Sequence, residues 1–582
     1  MIMRLSKILL FISLLWFLTS CNKDFLNRSP QSDISSADYW QSTNDLKLYA
    51  NNYYNTMLPS YTNYFDVGYF GEDANEGSDN MIGQAYNTGL NGETVVPSSG
   101  GGWNWSQLRD LNYFMANYQR VNAPWSQVKQ YVGETLFFRS MFYFNMLKFF
   151  GDLPWITQSL TVTDTSNLYG VRLPRHNVVD SILNDLDSAI SYLPSRGSSE
   201  PFRVDKQVAM LFESRVALYE GTWEKYHQGD PFGAPGHQGT AFLEKAAAVS
   251  EALINSGVQS LDNVGVEDGY WKLFNQTDYS NSNEIMLWRK YDVSAGVATH
   301  WYLYVPIGLE YGITKNLVDD YLCTDGKPIS ISSLYKGDDS LDLLAANRDP
   351  RLGQTIYLPG DPITTNKPNG APNVLFQIPD FQNSAHPPTG YELFKGMDPD
   401  YSQQSTDFST QALIYFRYAE CLLNFAEAKA ELGIITQSDL DKSINLLRAR
   451  VNMPPLELND IPFDPHWEFP NLSPIINEVR RERRVELACE GFRHDDIMRW
   501  AAAGKLIVGQ TPLGAKMNQW ASLVPSTTLS QYPVNAQGYI DPYKNISQMA
   551  GGYHFDVNRD YLLPIPLNQL TLNPKIKQNP GW

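Results

Sequence analysis

The chain has 582 residues and a formal charge of −18, from 63 acidic and 45 basic side chains. An acidic chain repels phosphate, which excludes nucleic acid as a partner. Only 19% of residues are charged, while 34 Tyr, 27 Phe and 14 Trp are plentiful enough that some rings must lie near the surface as contact groups.

Arg4 and Lys7 precede an apolar run from Ile8 to Leu18, followed by Thr19, Ser20 and Cys21. A charged start, a short apolar run and small residues before a cut site describe a secretory signal. Leu18-Thr19-Ser20-Cys21 resembles a bacterial lipobox. That resemblance implies cleavage before Cys21 and lipidation, palmitate included, of its thiol. The apolar run is short of the roughly 20 residues that a permanent span needs, and no later stretch is longer and as apolar. Residues 1–20 thus read as a lipoprotein signal peptide, and 21–582 as a single body on a lipid tether. Cys323, Cys421 and Cys489 are too widely spaced for a disulfide framework or a zinc site, and are expected to be mostly buried.

Asn22 to Ser36 is polar and reads as a surface strap. Ser36 or Asp38 is expected to cap a helix carrying Trp40, Leu46, Tyr49, Ala50 and Tyr53. Residues 61–102 change character. Tyr61, Tyr64, Phe65, Tyr69, Phe70 and Tyr86 alternate with Gly, Asn, Asp and Ser without a helical or strand period. A long loop of this kind usually binds something. Rings beside Asp73, Asn75, Asp79 and Asn80 suit a sugar, whose C–H face packs on an aromatic ring while amides and carboxylates take its hydroxyls. The same rings also serve, more simply, to fasten a loop to the body.

From Trp103 the pattern is helical. Pro124 opens a helix in which Val128, Val132, Leu136, Arg139, Tyr143, Met146 and Phe150 recur at three or four residues, and Gly151 stops it. Further helices are expected over Asn177–Leu193, over Asp205–Tyr219 with a stop at Gly221, and over Thr240–Ser256. Paired amphipathic helices with short turns suggest stacked hairpins. Residues 258–410 form a second irregular block, with a strand at Glu284–Trp288 and then Tyr291, Trp301, Tyr302 and Tyr304 among loop formers. Arg348-Asp349-Pro350-Arg351 reads as a turn whose arginines tie loops by ion pairs. Helix returns from 411: one stripe over Ile414, Tyr418, Leu422, Phe425 and Ala426, and a second over Leu440, Ile444, Leu447 and Val451. Ile476–Leu487 follows, with Glu478, Glu482 and Glu486 in one row. Arg481, and Arg483 three residues before Glu486, are expected to offset that row on the helix flank. His494, Asp495 and Asp496 are read as capping and salt-bridging groups, since three adjacent residues rarely aim at one ion.

Asn347 to Leu352 and Thr389-Gly390-Tyr391 resemble motifs of the RagB/SusD family, and so do four longer runs. They are Cys21 to Leu26 with Asp38-Tyr39-Trp40; Gly133-Glu134 through Phe150-Gly151-Asp152-Leu153-Pro154, with Asn112 in the preceding helix; Glu482-Arg483-Arg484 through Glu490-Gly491 and Arg493 to Asp496-x-x-Arg499-Trp500; and Tyr561 to Pro566 with Gln578 to Trp582. The resemblance implies a mainly α fold, a tetratricopeptide-like helical hairpin scaffold with loop-rich insertions and a few short strands. The scaffold is expected over about 36–60, 103–257 and 411–582, with binding insertions over about 61–102 and 258–410 lying on one face. It further implies a lipoprotein anchored in the outer membrane and facing the exterior. Such a protein binds oligo- or polysaccharide and delivers it to a TonB-dependent SusC-like barrel. A structural lid or adaptor, or a peptide binder of a similar transporter, is the alternative.

Neither a phosphate loop, nor His-Glu-x-x-His, nor Gly-x-Ser-x-Gly, nor a spaced Cys pair occurs, so no enzyme, cofactor or metal is expected. The expected glycan platform draws on both insertions: Tyr69, Trp103, Trp301 and Tyr302 for stacking, Asp73 and Asn75 for hydroxyls. Trp103 follows Ser98-Ser99-Gly100-Gly101-Gly102, read as a flexible approach that leaves the indole at a loop edge.

Overall fold

Asp45 turns back to accept the backbone N–H of Ser42 at 2.8 Å, and this contact starts α1 (Thr43–Thr56), later than Ser36 or Asp38. The computed structural model describes residues 39–60, 77–263, 265–299, 310–381, 386–404 and 409–582. After α2 (Ser106–Asn117), α3 (Trp125–Phe150) begins directly after Pro124 and ends at Gly151, whose φ of 68° a side chain would resist. Nearly every residue of α3 from Val132 onward is buried, so it is the central post of the scaffold.

α4 (Arg175–Tyr192), α5 (Lys206–Tyr226) and α6 (Thr240–Asn255) follow. Cross-contacts give their direction. Arg139 of α3 holds Asp185 of α4 at 2.7 Å, and Gly133 faces Tyr192 and Leu193, so α3 and α4 run antiparallel. Arg175 at the start of α4 grips Glu220 near the end of α5 at 2.7 Å, which makes the next pair antiparallel too. Gly221 does not stop α5. It lies inside the helix, where a Cβ would sit 2.9 Å from the Leu243 backbone nitrogen. The missing side chain is what lets the start of α6 close against α5.

Two short ribbons carry the chain between blocks. β1 (Met81–Gly83) pairs antiparallel with β3 (Tyr311–Ile313), and β2 (Ile285–Arg289) with β4 (Leu413–Arg417). β4 corrects one expectation: Ile414 belongs to a strand, and the helix begins only at Tyr418. Spacing of Ile414 and Tyr418 fits a helix, yet a partner strand more than a hundred residues away supplies backbone bonds that the local pattern cannot reveal. Between them, α7 (Lys315–Asp320) follows β3. α8 (Tyr418–Glu431), α9 (Ile444–Arg450), α10 (Pro474–Glu486) and α11 (Arg493–Arg499) complete the part of the scaffold used below.

The described residues form two hydrophobic cores. One fills the helical scaffold. The other lies under the 258–410 block, around Tyr270, Tyr321, Tyr391 and Trp520. α10 stands between them, with Val479 in the first core and Val485 in the second. Every residue from Ile476 to Glu486 is buried although seven of them are charged. Burial on this scale is tolerable only if each charge is paired. Glu486 accepts from Arg417 at 2.7 Å, Arg450 at 2.5 Å and Arg351 at 3.0 Å. Glu482 accepts from Arg351 at 2.7 Å and Arg448 at 2.9 Å. Arg481 pairs with Glu478 three residues back, as expected from helical spacing. Arg483 does not serve Glu486. It turns to Asp496 at 2.9 Å, because the buried faces of α10 bring tertiary partners that compete with neighbours on the same helix.

These partners come from both irregular blocks. Arg484 and Arg493 clamp Asp79 of the first block at 3.1 and 2.6 Å. Glu486 and Glu490 draw in Arg351 and Lys395 of the second. Arg348, in the same turn, donates instead to the Val318 and Tyr321 carbonyls at 2.7 Å each. The charged helix therefore fastens both blocks to the scaffold. His494, Asp495 and Asp496 diverge: His494 Nδ1 meets the Gly77 carbonyl oxygen at 2.9 Å, Asp495 pairs with Lys148, and Asp496 with Arg483 and Arg499. Cys323, Cys421 and Cys489 are buried.

Candidate functional site

The ribbon of β1 and β3 brings the two blocks together. Met81 lies opposite Ile313, Ile82 opposite Gly312, and Gly83 opposite Tyr311. Met81 and Ile313, a facing pair, sink into the second core, while Tyr311, two residues earlier on the same face at the other end of the ribbon, keeps partial exposure. Gly83 has no side chain, and a Cβ there would rest in ordinary contact with the Tyr311 ring at 3.5 Å. Gly312 is far more constrained, since a Cβ there would clash with Thr389 Oγ1 at 2.3 Å.

Beside this ribbon lies a cleft of about 290 Å³, walled by Gly77, Ser78, residues 81–88 and Leu90, and by Glu310, Tyr311, Tyr543 and Tyr553. The Tyr86 ring meets Tyr543 edge-on with centroids 6.3 Å apart, and its hydroxyl donates to Glu93 at 3.0 Å. Tyr543 is buried and donates to the Gly83 carbonyl at 2.6 Å, which fixes the loop after β1. Burial pushes the Tyr543 phenol well above its ordinary range and Tyr553 up to about 12, so both stay neutral. Gln84 reaches across to the His386 carbonyl at 3.0 Å. The wall thus offers two half-exposed rings, Tyr86 and Tyr311, with amides and hydroxyls of Ser78, Gln84, Asn87 and Thr88 around them.

Tyr69, Asp73, Asn75, Trp301 and Tyr302, and the lipidation residue Cys21, lie outside the described residues. Trp103 is described, and its expected place is corrected. It is 8% exposed, packed edge-on against Phe150 at 5.0 Å and Trp105 at 5.2 Å. Gly100, Gly101 and Gly102 all take positive φ and fold the chain back, so that the Trp103 amide donates to the Gly100 carbonyl at 3.0 Å. The glycines make a tight reversal that tucks the indole under the end of α3. A ring so placed has no free face for a ligand. Sequence reasoning named Tyr86 among the loop rings but passed over Tyr311 and Tyr543. Tyr311-Gly312-Ile313 carried the only signal, a small alternation too short to stand out.

A model of the SusD family matches residues 269–582, more than half of the chain. The chain belongs to the SusD family. A second family model, described as starch-binding associating with outer membrane, matches residues 24–218. SusD-like protein P2 of Formosa agariphila is 22% identical over 484 residues, covering 81% of this chain and 78% of that protein. SusD-like protein P38 of the same organism is 23% identical over 513 residues, 85% of this chain and 91% of its own. Among solved structures, a SusD-like protein from Bacteroides fragilis aligns with a TM-score of 0.69 at 23% identity, over 95% of this chain and all of that one. A SusD-like carbohydrate binding protein of Bacteroides fragilis aligns at 0.68 and 20% identity over 93% of this chain and all of its own. A laminarin binding SusD-like protein aligns at 0.56 and 18%, again over 93% and 100%. These likenesses establish the SusD-like fold. In this SusD-family chain, the charged run that most resembles the family lies in the buried hub of α10 and not in the cleft.

Proposed function

We propose that this protein is a lipid-anchored, non-catalytic glycan receptor of the outer membrane that hands oligosaccharide to a SusC-like TonB-dependent barrel. One observation carries the binding site: the two loop-rich blocks meet at the β1–β3 ribbon, and residues of both line one aromatic cleft. Tyr86 and Tyr311 supply ring faces there, and Gln84, Asn87 and Thr88 supply hydrogen-bonding groups for sugar hydroxyls. In this reading Tyr69, Asp73, Asn75, Trp301 and Tyr302, which lie outside the described residues, are further sugar contacts. Membership of the SusD family and the carbohydrate-binding relatives support the same reading.

No helix among the described residues is long and apolar enough to cross a membrane. The tether in this reading is Cys21, and a partner must carry the sugar across. Affinity electrophoresis over a panel of neutral polysaccharides should show retardation by at least one glycan. Uniform mobility across a broad panel would contradict glycan binding. Separately, Cys21→Ala should move the protein from the membrane fraction to the soluble periplasmic fraction, and its retention in the membrane would rule out the lipid tether.

A further inference from the structure

A second cluster lies in the helical scaffold, built from three separate elements. His176 is in the first turn of α4, Glu224 is near the end of α5, and His237 is in the loop that leads into α6. One donor atom from each lies within 4.8 Å of the others. His176 Nδ1 is 2.7 Å from Glu224 Oε1. The His176 and His237 rings are stacked, with centroids 3.5 Å apart.

The arrangement is held in place from several sides. Glu224 is buried, and its second oxygen accepts the Gly239 amide at 3.0 Å, which fixes the carboxylate plane. Gly239 takes a φ of 73°, and a Cβ there would sit 1.9 Å from the Gly221 carbonyl oxygen. The loop end that carries His237 is therefore pressed against α5 at a point where only glycine fits. His227 and Trp223 secure the other end, through the Met498 carbonyl at 2.8 Å and the Phe232 carbonyl at 3.0 Å. Phe242 closes one side with its ring 5.0 Å from that of His176.

Charge at the cluster is unbalanced. Arg175, the nearby cation, is engaged in a two-point pair with Glu220 at 2.8 and 2.7 Å. Asp180 approaches His176 Nε2 at 3.6 Å. The buried Glu224 carboxylate beside two stacked imidazoles leaves one donor atom from each residue for a cation.

We propose that His176, Glu224 and His237 form a binding site for a late first-row divalent cation of the zinc class, which clamps the 227–239 loop onto the α4–α5 hairpin. Two neutral imidazole nitrogens and one carboxylate oxygen are a donor set that zinc accepts at about 2.0–2.2 Å, with water in a fourth position. The Gly239 amide on Glu224 supplies the outer hydrogen bond that orients a ligand carboxylate. The site is independent of the glycan cleft and of the reading built on it.

The test uses the full mature chain, stripped with chelator and titrated with Co(II) and then Zn(II). One equivalent of Co(II) should give the intense visible absorption of a tetrahedral site, and Zn(II) should displace it. Zn(II) should also raise the melting temperature of the wild type. His237→Ala changes an exposed loop residue and should fold normally, yet lose affinity at least tenfold and lose the zinc-dependent rise in melting temperature. Glu224→Gln should lose the Co(II) spectrum, while His554→Ala should behave as wild type. Absence of stoichiometric binding by the wild type would overturn the site. So would binding and stabilisation that survive in His237→Ala, or that vanish in His554→Ala.

Discussion

Glu486→Gln should destabilise this protein by about 3–5 kcal/mol, the usual cost of leaving buried charges without their partner. The substitution keeps the shape of the side chain and removes one negative charge from the meeting point of Arg351, Arg417 and Arg450. Each guanidinium retains another partner, Asp349, Glu490 and Glu284 respectively, which sets a ceiling on the loss. A surface comparison makes the point sharper. Lys47 and Glu200 form an ion pair of similar length at 2.8 Å but are half to one-third exposed, and Glu200→Gln should cost below about 1 kcal/mol. Differential scanning calorimetry of the two variants beside wild type checks this. Equal melting temperatures for Glu486→Gln and wild type would show that α10 does not hold the blocks together.

Acid should act on the same hub. Burial alone would raise the Glu486 carboxyl; Arg450, Arg417 and Arg351 overcome it and hold the group well below the usual carboxylate range. Glu427 is likewise buried but brought down to about 2, chiefly by Arg499. A carboxyl whose pKa is depressed on folding lends stability that is complete above its unfolded value, about 4.3 for Glu, and is lost as the pH falls toward the folded value. Wild-type stability should therefore drop steeply between about pH 4 and pH 2. Glu486→Gln, lacking one such group, should start lower and fall less over that window.

Local signals were legible where they were sufficient. Pro124 and Gly151 bracket α3 within the chain itself, and Glu284–Trp288 reads as a strand from its composition, one residue off the observed β2. Partner choice was not legible. Glu486 finds its arginines on three other elements, so the pattern of charges along α10 shows only that pairing is needed. Ile414 satisfies a helical spacing and yet joins β2, because backbone bonds from a distant strand outweigh the stripe. The Gly100–Gly102 run could mean freedom or a tight reversal, and only the packing of Trp103 on Phe150 decides for the reversal. His176, Glu224 and His237 lie too far apart in sequence for any metal spacing to suggest them.

Tyr86→Ala with Tyr311→Ala should weaken glycan binding about five- to hundredfold without a comparable change in melting temperature. Each ring is only partly buried, so its removal opens no large cavity. Aromatic stacking contributes about 0.5–1.5 kcal/mol per ring, and two rings at 1.4 kcal/mol per factor of ten give that range. Tyr543 is a poor choice for the same test, because its hydroxyl holds the Gly83 carbonyl and its loss would disturb the cleft wall itself. Trp103→Ala is the opposite control. Removing a buried indole should lower stability by about 3–5 kcal/mol while any protein that remains folded binds normally. Calorimetry with the glycan that retards the wild type separates these cases. Unchanged affinity in the double variant would place the platform elsewhere.

Another aromatic groove offers a clear rival location, walled by Tyr39, Trp40, Tyr49 and Tyr113 between α1 and α2. A co-crystal structure of the full mature chain with its retarding oligosaccharide distinguishes the two directly. The sugar should lie in the cleft beside the β1–β3 ribbon, with a pyranose face on Tyr86 or Tyr311 and hydroxyls on Gln84 or Asn87. Sugar density in the Tyr39–Tyr113 groove, with the ribbon cleft left to solvent, would contradict the account.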